Sequence, residues 1–286
     1  MDGILNLDKP QGLTSHDAVA RVRAVSRQRR VGHAGTLDPL ATGVLVVCLG
    51  RATRLAEYLM ASPKQYRAHV RLGIATTSYD AAGQVVAERP VRVSREQVEA
   101  ALEGFRGAIL QVPPMVSALK RGGRRLYELA RQGVEIERAP RPVEIYSLEL
   151  VAWTPPDLVL EVTCSPGTYI RSLAHDLGQA LGCGAHVTGL VRLASGDFRL
   201  EDALPLAELT AERLPSALLP LDAGLSRYPA LHLDEAAARA VRLGQALPAE
   251  SAAASVARAY GPDGALLAMM AYSAERQVWQ PRKVLA

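Results

Sequence analysis

The chain has 286 residues, which is enough for a substantial core and for two domains. Its formal charge is only +4, but nearly all of its 33 basic residues are arginine, whose planar fork suits phosphate and stacks on bases, so a polyanionic partner (RNA or DNA first) stands against simple coding bias as the explanation. Cys48, Cys164 and Cys183 make no disulfide framework, the N-terminus lacks a signal-like apolar segment, and no apolar run approaches a membrane span, so a reduced, cytoplasmic protein without membrane attachment is expected.

Thr14, with Asp17 three residues on, predicts a helix over 14–25 with Ala18, Val19, Val22 and Val25 on its apolar face. Its arginines then point toward solvent or a ligand. The run from Gly32 to Gly43 follows. It holds Asp38 among glycines, small hydroxyls and Pro39, a composition for a shaped loop rather than a helix or strand. No acid occurs from residue 18 to residue 37, whereas Arg21, Arg23, Arg27, Arg29 and Arg30 do. Two readings of Asp38 fit: a tight structural turn in which it caps its own backbone, or a reactive group held by the loop. The apolar run 44–49 suits a buried strand, a rigid support of the kind catalytic groups need.

Ala68, Val70 and Leu72 alternate with polar neighbours as a half-buried strand. Tyr66 opens it, and its neighbours Lys64 and Arg67 favour an exposed ring. Ser94 and Gln97 form a capping box before the helical face Val98, Ala101, Leu102 and Phe105. Between 120 and 141, Lys120, Arg121, Arg124, Arg125, Arg131, Arg138 and Arg141 outnumber the acids. That segment reads either as a phosphate clamp or as a solvated basic face. Leu158, Leu160 and Val162 mark another alternating strand.

Residues 169–182 form a clear helix with Ile170, Leu173, Ala174, Leu177 and Leu181 on one face. Arg171 lies on the flank of that face in the first turn. The helix dipole gives a cation no help there, so Arg171 wants an anionic partner from elsewhere. Pro205, Pro215, Pro220 and Pro229 punctuate a domain junction with few shared core residues expected across it. Beyond it, a helix over 233–243 and strands over 255–260, 265–272 and 277–285 predict a small strand-rich module. Its basic residues Arg239, Arg242, Arg258, Arg276, Arg282 and Lys283 are candidates for phosphate contacts. His175, Cys183 and His186 fit no zinc pattern, and no P-loop, dinucleotide fingerprint or nucleophile elbow is present.

With these residues in view, the chain resembles the bacterial tRNA pseudouridine-55 synthase family. Residues 32–45, GHAGTLDPLATGVL, look like its central signature, and residues 7–15 like its N-terminal motif. Further blocks at 64–66, 76–80, 111–120, 125–131 and 167–173 follow in family order. Residues beyond about 225 resemble a PUA domain. The resemblance implies an α/β (α+β) fold: a catalytic domain over 1–222, with a central mixed, mainly antiparallel sheet flanked by helices, and a β-rich PUA-like domain over 223–286.

It implies isomerisation of uridine 55 in the tRNA T loop to pseudouridine, with no metal and no organic cofactor. The catalytic aspartate, active-site tyrosine and paired arginine carry over to Asp38, Tyr66 and Arg171, and Arg171 is expected to keep the pKa of Asp38 low. Lys9, Pro10, His33, Asp80, Tyr169 and Leu190 are implied around the substrate, with His33 acting in loop rearrangement. Lys120, Arg121, Arg124, Arg125 and Arg131 are expected on the RNA backbone. A monomer is expected, its C-terminal domain reaching the tRNA acceptor end. Val116, Val191 and Leu193 depart from the family pattern. Two other classes remain in competition: a non-catalytic tRNA-binding protein, and an enzyme acting on small nucleosides.

Overall fold

The computed structural model describes residues 1–117, the backbone of 120–121 and 124–125, and residues 136–285. Its elements begin with β1 (Gly3–Lys9), α1 (Ser15–Ser26), β2 (Val31–His33), β3 (Ala41–Leu49) and α2 (Ala56–Met60). They continue with β4 (Lys64–Leu72), β5 (Ile74–Thr76), β6 (Val85–Glu88), α3 (Arg95–Glu103) and β7 (Gly107–Gln111). The two-residue strands β8 (Lys120–Arg121) and β9 (Arg124–Arg125) pair with each other. Then come β10 (Arg141–Thr154), β11 (Asp157–Cys164), α4 (Ile170–Ala180), β12 (Ala185–Ser195), β13 (Phe198–Arg199), β14 (Leu204–Pro205) and α5 (Leu214–Ala217). The C-terminal part holds β15 (Ala230–His232), α6 (Glu235–Arg242), β16 (Leu247–Pro248), β17 (Val256–Tyr260), β18 (Leu266–Ser273) and β19 (Val278–Val284).

The main sheet runs β14-β1-β3-β12-β4-β11-β10-β7, with β2 paired to β3 and β13 to β12. Two pairings, β1–β14 and β3–β12, are parallel; the others are antiparallel. This is a mixed, mainly antiparallel sheet. β3 is its central apolar strand, and both of its faces are covered. Leu45, Val47 and Leu49 join the core with α1 and α4, while Val44, Val46 and Cys48 join a second core on the opposite face. A strand buried on both sides carries a continuous apolar run instead of an alternating one, which is why 44–49 reads as it does.

The helix starts follow their caps. Thr14 accepts from the Asp17 amide and Asp17 returns a bond to the Thr14 amide; Ser94 and Gln97 repeat the arrangement at α3. The C-terminal residues form a five-stranded sheet ordered β15-β17-β18-β19-β16, with α6 packed on it. The junction is not a bare linker. Leu225, Tyr228, Met269 and Leu285 share one core with Ile4, Val44, Val46, Cys48, Leu55 and Leu59. Arg51 also donates to the Leu285 carbonyl at 2.8 Å, and Lys283 pairs with Glu57 at 2.8 Å. The expectation of few shared core residues is therefore corrected: prolines punctuate the backbone but do not report what the segments pack against. No helix among the described residues is long and apolar enough to cross a membrane.

Candidate active site

Asp38 sits in the loop between β2 and β3, and that loop is fastened from several sides. The Ser15 hydroxyl, at the start of α1, accepts from the Leu37 amide at 2.8 Å and donates to the Leu37 carbonyl at 3.1 Å. Pro39 offers its carbonyl to the Gly12 amide at 2.8 Å, and Asp38 its own to the Ala41 amide at 3.0 Å. Gly43 closes the loop at φ +94°, where any Cβ would lie 2.3 Å from the Arg192 carbonyl oxygen. Only glycine allows β3 and β12 to approach so closely.

The Asp38 side chain keeps 37% exposure, whereas its partner Arg171 keeps only 4%. Arg171 reaches from the first turn of α4. Its Nε lies 2.9 Å from Asp38 Oδ2 and its Nη1 3.2 Å from Asp80 Oδ2. It also donates to the carbonyls of Ser78 at 3.1 Å and Val116 at 2.8 Å. Asp80 is buried and accepts from the Ser78 hydroxyl at 2.5 Å and the Ala82 amide at 3.0 Å. The anionic partner that Arg171 wanted is thus a pair of carboxylates, one closed off and one open to solvent.

Burial pushes the Asp38 carboxyl above its ordinary range; Arg171 and Lys9 pull it down and Asp80 pushes it further up, with the net shift upward. That corrects the expectation that Arg171 keeps the Asp38 pKa low: removal from water outweighs the ion pair. A carboxylate whose pKa is raised is a stronger proton acceptor than one in the ordinary range.

Lys9 is fully buried at the end of β1. Its ammonium donates to the carbonyls of Pro10 at 2.9 Å and Leu13 at 2.7 Å, shaping the turn before α1. Burial lowers its pKa to about 8, against the pull of nearby Asp38. Pro10 itself is exposed. Tyr66 on β4 is half-buried and packs against the main core, with Asp38 among its charged neighbours. The exposed ring expected from its flanking cations is not found. Lys64 is itself buried, with its ammonium bonded to the carbonyls of Met60 and Ser62, both at 2.5 Å.

Tyr169 caps α4; its amide donates to Gln111 Oε1 at 2.7 Å and its carbonyl accepts from Gln111 Nε2 at 2.9 Å. Leu190 is buried on β12 between Ala41 and Ala68. His33 lies on β2, edge-on to His16 at 5.8 Å, and its Nδ1 has no hydrogen-bond partner among the described residues. Burial, with the charges of His16 and Arg192, lowers its pKa to about 4.

The structure therefore brings Asp38, Arg171, Asp80, Lys9, Tyr66 and Tyr169 together. The side chains of Lys120, Arg121, Arg124 and Arg125, and all of Arg131, lie outside the described residues. Of the C-terminal candidates, Arg239, Arg242, Arg276 and Arg282 are exposed. Arg258 instead bonds the Tyr228 carbonyl and the Tyr260 hydroxyl, and Lys283 pairs with Glu57. Among the described residues no cluster of His, Cys, Asp and Glu is placed to hold a metal ion.

Sequence reasoning passed over Ser15, Gln111 and, above all, Arg192. The available signal for Arg192 was a single arginine inside the apolar run from Leu190 to Ala194, between the family departures Val191 and Leu193.

A buried arginine holding a solvent-reachable aspartate in a rigid loop, on a mixed sheet beside a tyrosine, defines an enzyme-like site. Comparison with known proteins identifies its class. The family model "TruB family pseudouridylate synthase (N terminal domain)" matches residues 23–170. The models "tRNA pseudouridylate synthase B C-terminal domain" and "tRNA Pseudouridine synthase II, C terminal" match 171–226 and 228–286. The chain belongs to the TruB family of pseudouridylate synthases.

It is 45% identical to the tRNA pseudouridine synthase B of Thiobacillus denitrificans over 100% of this chain and 96% of that protein. It is 51% identical to that of Dehalococcoides mccartyi, over 82% of this chain and 80% of the relative. Among solved structures it resembles a chain of the Cbf5-Nop10-Gar1 complex, with a TM-score of 0.77 and 27% identity, covering 99% of this chain and 85% of the other. A chain from an H/ACA RNP bound to a substrate RNA containing 2'-deoxyuridine gives a TM-score of 0.75 at 25% identity, with 99% and 85% covered.

Proposed function

We infer that this protein converts uridine 55 in the T loop of tRNA to pseudouridine. The observation that carries the reading is Asp38: a carboxylate open to solvent on one side and gripped on the other by a buried arginine that also holds Asp80. Relatives named for this activity, similar over most of their length, support it.

The target nucleotide must leave the loop stack to reach such a site. Asp38 then acts at the sugar, either attacking C1′ or removing the proton that starts glycal formation, and the C1′–N1 bond breaks. Arg171 fixes the carboxylate oxygens in place, and Tyr66 offers a ring on which the freed uracil stacks while it turns. Reattachment through C5 and loss of the C5 proton complete the reaction. The route uses no metal or organic cofactor. Lys9 and Pro10 shape the pocket rim, Tyr169 and Leu190 line it, and His33 works in the rearrangement of the T loop.

Residues 1–222 serve as the catalytic domain and 223–286 as a PUA-like domain directed at the acceptor end. The basic hairpin residues Lys120, Arg121, Arg124 and Arg125, with Arg131, are assigned to the RNA backbone. The protein acts as a cytoplasmic monomer. Incubation with unmodified tRNA followed by nucleoside chromatography tests the reading. One pseudouridine per tRNA is expected, with none when position 55 is cytidine and none from free uridine. Folded protein that binds tRNA but forms no pseudouridine would favour the non-catalytic alternative.

A further inference from the structure

Arg192 is only 1% exposed and is the largest fully buried side chain among the described residues. It lies on β12, opposite Tyr66 on β4 and Gly43 on β3. Its guanidinium donates to the carbonyls of Val44 at 2.6 Å, Gly35 at 3.1 Å and Thr36 at 3.3 Å. These bonds tie down the loop that carries Asp38. All three partners are uncharged, and Arg192 forms no salt bridge among the described residues.

A buried cation without a counter-charge is costly, and neutral side chains can also donate to carbonyls. The charge therefore asks for a reason of its own. Its influence reaches across the site: it helps depress the pKa values of Lys9, Lys64 and His33. Across the β12–β4 pairing it stands in register with Tyr66; burial pushes the Tyr66 hydroxyl above its ordinary range, and the Arg192 charge is the largest influence acting against that upward shift.

We propose that Arg192 is a positioning residue that enables Tyr66 to take the C5 proton, holding the Tyr66 phenolate by charge while it holds the Asp38 loop by hydrogen bonds. The proposal rests on the reading of this protein as a uridine isomerase. Once C5 has joined C1′, C5 is tetrahedral and still carries its hydrogen, and the ring has an N1=C6 double bond. The Tyr66 phenolate removes that proton. The C–H electron pair becomes the C5=C6 bond, and the N1=C6 π pair moves to N1, which takes a proton from water. Tyr66 ends as the phenol and returns its proton to solvent. A cation with no other anionic partner is suited to the moment when the phenolate exists.

The test separates a loop anchor from a phenolate partner. Arg192→Gln removes the charge and keeps hydrogen-bonding capacity; Arg192→Lys keeps the charge and loses the fork. Both are compared with wild type on tRNA carrying uridine, C5-deuterated uridine, or 5-fluorouridine, which has no C5 proton to lose. For Arg192→Gln, turnover on uridine is expected to fall about 100-fold. Its C5 deuterium isotope effect should rise above that of wild type, and formation of the C-linked fluoro product should stay within about threefold. Arg192→Lys should retain more uridine turnover than Arg192→Gln.

Equal losses on uridine and 5-fluorouridine, with an unchanged isotope effect, would reduce Arg192 to a loop anchor and overturn the proposal. Should Arg192→Gln fail to fold, Arg192→Met, which also removes the charge, takes its place. It should lose uridine turnover selectively, with a raised isotope effect; a parallel loss on both substrates refutes the idea. Pseudouridine formation by wild type is the control, since its absence would overturn the functional reading itself.

Discussion

Cutting the chain after Asp222 removes Leu225, Tyr228, Met269 and Leu285 from the core they share with Ile4, Val44, Val46, Cys48, Leu55 and Leu59. The four are 0%, 8%, 0% and 1% exposed, so each gives up nearly its full burial. A buried side chain of this size contributes about 1.5–3 kcal/mol, and four of them about 6–12 kcal/mol. A whole domain has a net stability of only about 5–15 kcal/mol. The Lys283–Glu57 pair is largely exposed and adds little. Residues 1–222 alone are therefore expected to be molten or unfolded, even though the Asp38 loop and the main sheet lie upstream of the cut. Urea unfolding followed by circular dichroism on the fragment and the full chain reads this directly. Met269→Ala gives a graded version, expected to cost about 2–5 kcal/mol. A fragment that unfolds cooperatively at the same urea midpoint as the full chain would refute the reasoning.

Arg171→Lys should lower turnover by at least about 100-fold and stability by about 3–5 kcal/mol, because one ammonium cannot serve both carboxylates and leaves buried Asp80 without its partner. Single-turnover rates and urea midpoints near wild type would contradict this. Gly43→Ala combines a left-handed backbone at φ +94° with a Cβ 2.3 Å from a backbone oxygen of β12. It should cost about 3 kcal/mol in thermal or urea unfolding; a loss under about 1 kcal/mol would show that β12 yields easily. His33 has its pKa lowered to about 4, mainly by burial. Between that value and the ordinary histidine range the unfolded chain binds more protons. The resulting stability is present above about pH 6.5 and is lost as pH falls toward 4, by about 2 kcal/mol at pH 5. His33→Gln should lose correspondingly less stability than wild type between pH 7.5 and pH 5, and equal losses would contradict the burial argument.

Local signals were legible wherever the local chain decides the outcome. Both capping boxes stand where Thr14–Asp17 and Ser94–Gln97 place them, and the apolar run 44–49 lies inside β3. The 14-residue strand β10 was not foreseen: Pro142 is its second residue, and several of its side chains face solvent, so no clean alternation marks it. The partner of Arg171 was foreseen only as an anion from elsewhere, since Asp38 and Asp80 meet it through tertiary contacts. The upward shift of Asp38 was missed for the same reason, because desolvation depends on what surrounds the loop. Arg192 stayed hidden because its role depends on cross-strand register with Gly43 and Tyr66, which one strand's sequence does not contain.

The central claim is that Asp38 drives isomerisation of one uridine in the tRNA T loop. The most direct measurement is tritium release from unmodified tRNA carrying [5-³H]uridine, with wild type and Asp38→Asn side by side and tRNA binding recorded for both. Wild type should release one equivalent from the T-loop uridine. Asp38→Asn should bind tRNA about as tightly and release essentially nothing, since asparagine neither attacks the sugar nor accepts its proton. Release by Asp38→Asn above a few per cent of the wild-type rate, or none from wild type, would contradict the account.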